Sequence, residues 1–101
     1  MAGMAGKLCL IDADTTVKRD ILECSPEVRR EIGDFLEHLQ ADPLPLDRKP
    51  MNKGAFYIQL PCGIYIGWEI VGDPLHLVFR GPDDTILVRI VGVGWETPAA
   101  P

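Results

Sequence analysis

The chain has little of what marks the familiar enzyme classes. Nowhere in its 101 residues is there a glycine-rich phosphate loop, a nucleophile elbow or a zinc-ligand spacing. Nucleotide-binding, serine-hydrolase and zinc-enzyme chemistries are therefore set aside. Cysteine is scarce: Cys9, Cys24 and Cys62 are odd in number and widely spaced, which suggests neither a disulfide framework nor a metal site. They read as reduced, mostly buried small hydrophobes, with Cys62, in a turn, the one placed for exposure and oxidation. No metal and no cofactor is expected. Positive charge is also short, with 10 Lys and Arg against 15 Asp and Glu and a net charge of −5. Generic polyanion binders carry an excess of cations to displace counterions, so this balance argues against one, while leaving room for a local basic patch. No apolar run approaches the roughly 20 residues of a membrane span. Residues 1–12 lack the cationic start and long apolar region of a signal peptide, so a cytoplasmic location is expected.

What is present is a chain with 47% hydrophobic and 25% charged residues, enough for one modest core. A single domain is expected over residues 7–96, with a flexible N-terminus at 1–6 and a loose tail at 97–101. The organising stretch is Ala55 to Ile70, AFYIQLPCGIYIGWEI. Phe56, Ile58 and Leu60 alternate with Tyr57 and Gln59; after Pro61-Cys62-Gly63, Ile64, Ile66, Trp68 and Ile70 alternate with Tyr65, Gly67 and Glu69. This twofold period around a turn predicts a hairpin with one apolar face that must be covered.

The cover comes from earlier in the chain. Ser25 suits an N-cap and Pro26 the first helical position, and Val28, Ile32, Phe35, Leu36 and Leu39 form one apolar stripe. Gly33 within that helix suggests close approach of another backbone, that of a first helix. The first helix is capped by Asp14 or Thr15 and turns Val17, Ile21 and Leu22 inward. The apolar run Leu8–Ile11 before it suits a buried strand, and His38 reads as solvated. After the hairpin, Leu75–Arg80 and Thr85–Val93 read as strands, the second with a bulge or bend at Gly92 and Gly94. The 41–54 segment, with Arg48, Lys49 and Lys53, reads as a solvated connector. The fold class expected is α+β, two N-terminal helices on one face of an antiparallel sheet of four to five strands.

On the open face this pattern leaves Tyr57, Gln59, Tyr65, Glu69, His76, Arg80 and Arg89, with Leu87 and Val91 as apolar neighbours. RNase-like work would cast Glu69 or His76 as acid or base, Arg80 and Arg89 on phosphate, and Tyr65 stacked on a base. The bland alternative is that antiparallel sheets leave one face wet, and wet faces collect such residues without a task.

Three stretches taken together resemble a known family. SPEVRREIGDFLEHLQADP at Ser25–Pro43, GAFYIQLPCGIYIGWEI at Gly54–Ile70 and TILVRIVGVGWE at Thr85–Glu96 are similar to the second helix, central strand pair and last strand of the RelE/ParE toxins of bacterial type II toxin–antitoxin modules. The resemblance implies plasmid-stabilisation-type biology, an antitoxin-like partner or self-association, and, for members that cleave mRNA on the ribosome, cations that stabilise the attacking 2′-hydroxyl and the developing charge. Where the family has Arg after Tyr in the second central strand, this chain reads Ile64-Tyr65, and Trp68 takes the place of a later Tyr. Where the last strand ends in His-Arg or Lys-Arg, Trp95-Glu96 stands. The expected function is therefore that of a degenerate toxin-fold protein acting by protein contact through Tyr57, Gln59, Tyr65 and Trp95. The alternative is an active mRNA endonuclease using Glu69, His76, Arg80 and Arg89, and a gyrase-directed toxin is a third option.

Overall fold

The computed structural model describes residues 9–72 and 86–98. The expected strand Leu75–Arg80, and with it His76 and Arg80, lies outside them. In chain order the elements are β1 (Leu10–Ala13), α1 (Thr15–Leu22), α2 (Pro26–Ala41), β2 (Lys49–Pro50), β3 (Phe56–Gln59), β4 (Tyr65–Val71) and β5 (Leu87–Gly94). The strands form one sheet in the order β1-β5-β4-β3-β2.

Both helices start where their caps allow. The Asp14 carboxylate accepts the Val17 N–H at 2.9 Å and Ser25 Oγ accepts that of Val28 at 3.3 Å, each satisfying a donor that the first helical turn leaves over. On α2, Ile32 and Leu39 are fully buried, with Val28, Phe35 and Leu36 packed beside them. The α2 stripe lies on Ile64, Ile66, Trp68, Val88 and Ile90 from the sheet. Each such side chain, when fully buried, contributes about 1.5–3 kcal/mol. Trp68 is at the centre: Phe35 meets it edge-on at 5.4 Å between centroids and Phe56 is tilted against it at 6.1 Å. Its indole N–H donates to the Pro43 carbonyl at 3.0 Å, so the one polar atom of this buried ring is satisfied and the segment leaving α2 is tied to the core.

The hairpin closes as its sequence predicts. Gly63 takes φ +103°, Leu60 N–H donates to the Ile64 carbonyl and Gly63 N–H to that of Leu60, both at 2.8 Å. Further along, β5 carries one extra residue: Trp68 pairs with Ile90 but Gly67 pairs with Gly92, so Val91 is unpaired and the alternation shifts. The shift returns Val93 to the core side opposite Ile66.

Five features differ from the sequence expectations, the first being Leu22, expected inward but 66% exposed at the end of α1, off the helix stripe that Val17 and Ile21 form. β1 runs parallel to β5, making the sheet mixed: the chain re-enters at the far edge as β2, and three antiparallel steps through β3 and β4 bring β5 back in the direction of β1. That strand begins at Leu10 and is only half covered, since it is an edge with helices on one face; Leu10 is 58% exposed. Gly33 is exposed with nothing within 4 Å of where a Cβ would stand, so no backbone approaches it. The 41–54 segment contributes an edge strand, because Pro50 and Lys49 fall opposite Phe56 and Tyr57. Arg48 fastens this segment, donating to the Leu44 and Pro45 carbonyls and stacking 5.1 Å from the Phe56 ring centroid. Among the described residues, no helix is long and apolar enough to cross a membrane.

Candidate functional site on the open sheet face

Strand alternation sends Tyr57 and Gln59 from β3, Tyr65 and Glu69 from β4, and Leu87, Arg89 and Val91 from β5 to the face away from the helices. Of the expected acid, base and phosphate-binding residues, the described structure brings together Glu69 and Arg89. They are register partners, and Arg89 Nη1 donates to Glu69 Oε2 at 3.3 Å in a half-exposed ion pair. On its other side Arg89 has Asp12 of β1 as its register partner. The row across the sheet is thus Asp12, Arg89, Glu69, one cation between two carboxylates. An incoming phosphate would have to displace a carboxylate already bonded to the guanidinium and approach a second. The other described cation on this face is Lys49, at the β2 edge opposite Tyr57.

The expected contact residues gather at the other end of the strands. Tyr57 and Tyr65 are tilted against each other with ring centroids 5.9 Å apart. Gln59 turns back to its own hairpin, Nε2 donating to the Gly63 carbonyl at 3.1 Å. Thr97 Oγ1 donates to Tyr65 Oη at 3.0 Å, which folds the segment after β5 back over β4. Between them is a shallow cleft of about 250 Å³, walled by Met51, Tyr65, Gly67, Val91, Trp95 and Glu96. Gly67 gives it a floor: a Cβ there would stand 3.0 Å from Met51 Sδ and 3.2 Å from Val91 Cγ2, so Met51 lies close on the strand where that side chain is missing and would have to shift to admit one. Among the described residues, no Lys, Arg or His lines the cleft, and the one charged wall residue is Glu96.

Sequence reasoning did not find Asp12, Met51 or Thr97. Asp12 joins the row only through the parallel β1–β5 pairing, for which periodicity carries no signal. Met51 and Thr97 come from segments without alternation. Among the described residues, no group of three or more His, Cys, Asp or Glu is placed to hold a metal ion.

No protein-family model matches the chain, and no curated protein matches its sequence. Among solved structures, the fold is similar to that of the Escherichia coli toxin RelE in the free state, in a form with two arginines replaced by alanine. The TM-score is 0.65 at 15% identity, over 86% of this chain and 82% of that one. The chain therefore has a RelE-like toxin fold, with two helices on a five-stranded mixed sheet.

Proposed function

We propose that this chain is a toxin-fold protein of a bacterial toxin–antitoxin type module, that it is degenerate as a nuclease, and that it acts in the cytoplasm by contact with an antitoxin-like protein or a second copy of itself. The observation that carries the reading is the neutralised cation: Arg89 is bonded to Glu69 and flanked by Asp12. Cleavage of RNA through the 2′-hydroxyl builds negative charge on phosphate, and catalysis needs donors aimed at that charge and free to meet it. Here the strand-end cleft offers Tyr65, Trp95 and Glu96.

Induced expression in a bacterial host, with growth and mRNA integrity as readouts, tests this. Indifferent growth and intact mRNA are expected. Growth arrest relieved by Arg89→Ala or His76→Ala would overturn the reading in favour of the endonuclease that uses Glu69, His76, Arg80 and Arg89. Sedimentation and pull-down from the native host address the contact itself, and a strictly monomeric protein that captures nothing would count against it.

A further inference from the structure

A second cleft, of about 540 Å³, opens on the opposite side of Trp95, where the end of α1 and the start of α2 meet the ends of β4 and β5. Its floor is apolar, made by Val28, Ile64 and Val93, and among the described residues its charged lining is Asp20 and Glu23, with no Lys, Arg or His. Arg29, beside Val28 on α2, donates from Nη1 to the Leu22 carbonyl at 3.4 Å, and its charge is felt at Cys24 in the cleft lining, so the carboxylates are in part offset there. Trp95 is 59% exposed and lines both clefts, so its indole is a partition with one edge against Gly63 and its faces open.

Three features define the complementary ligand. Carboxylates on the rim favour a cation. An exposed indole face favours a planar, weakly hydrated guanidinium over a compact ammonium. A greasy floor suits the methylene stem that such a side chain carries. A bare metal ion fits poorly, because two carboxylates beside an apolar floor supply too few oxygen ligands. We propose that this cleft docks an arginine side chain of a basic segment of a partner protein, stacked on Trp95 and paired with Asp20 and Glu23. The proposal rests on the protein-contact reading above and adds the chemistry of the partner.

The test is a titration of the full chain with a synthetic peptide of alternating serine and arginine, capped at both ends, followed by indole fluorescence. Trp68 is buried, so the exposed Trp95 dominates the response. A saturable change is expected, weakened about fivefold to tenfold by Asp20→Asn with Glu23→Gln, and by Trp95→Leu when binding is read by calorimetry. Raising salt from about 50 to about 500 mM should weaken it similarly. A peptide with glutamate in place of arginine should not bind, and Asp47→Asn, in the 41–54 segment away from Trp95, should leave affinity within about twofold. Absence of saturation, equal binding of the glutamate peptide, or full affinity in the double variant would overturn the proposal. So would a concentration-dependent change without peptide, which would mark a second copy as the occupant. A partner still captured by the double variant would sink the cleft but spare the protein-contact reading, whereas growth arrest with mRNA cleavage would sink that reading itself.

Discussion

Trp68 and Glu69 are neighbours on β4, and they show what the two faces of this sheet are for. Trp68 is fully buried, held by Phe35 and Phe56 and hydrogen-bonded to Pro43. Glu69 is about a third exposed and bonded to an arginine that is itself half exposed. Water is excluded on one side and present on the other, so the same sheet stores its stability on the first face and keeps the second available for contacts. Interactions on the dry face each carry several kcal/mol, whereas ion pairs on the wet face are screened and carry little.

The comparison is most severely tested by Trp68→Ala. It removes the largest buried side chain and strands the Pro43 carbonyl, and a loss of about 3–5 kcal/mol is expected from denaturant unfolding. A loss below about 1 kcal/mol would break the picture of a Trp68-centred core. Ile66→Ala, on the same face, is expected to cost about 2–5 kcal/mol by the same measurement. Ser25→Ala should cost about 1 kcal/mol through the unsatisfied Val28 N–H at the start of α2. On the wet face, Arg89→Ala should change stability by no more than about 0.5 kcal/mol. A larger cost would mean that the Asp12-Arg89-Glu69 row is structural.

The smallest effect concerns the thiol at the helix corner. Burial pushes the Cys24 thiol up, the neighbouring Cys62 adds to the rise, and Arg29 opposes it. The folded state therefore holds this proton to higher pH than the unfolded chain does. Stability from this group is complete below the ordinary thiol range and falls as pH rises through the raised value. Denaturant midpoints between about pH 8 and pH 10 should decline slightly more steeply for the native chain than for Cys24→Ser.

Where the side-chain period was unbroken, sequence and structure agree. The α2 stripe, its Ser25 cap, the hairpin about Gly63 and the inward set Ile64, Ile66 and Trp68 all follow from short-range rules that need no partner. What escaped was set by distant pairing. β1 joins β5 in parallel, and that pairing alone brings Asp12 beside Arg89; Lys49–Pro50 becomes a strand because β3 presents a free edge. Gly33 misled for a different reason: a helical glycine is read as a sign of close packing, and here the position faces solvent. Of the candidate site, the residues were legible but their pairing was not. Arg89 reads as a free phosphate ligand until its neighbours across two strands are known.

The unpaired Val91 gives the length of β5 a meaning apart from its composition. The strand changes phase once, between Ile90 and Gly92, and loss of Val91 alone would leave Ile90 opposite Trp68, Gly92 opposite Gly67 and Val93 opposite Ile66, a regular ladder with the same residues inside. The extra residue therefore serves the open side, where Val91 and Gly92 both wall the cleft beside Trp95, and not the core beyond it. Substitutions, and even loss of Val91, can therefore reshape that cleft while the inward set of β5 keeps its place.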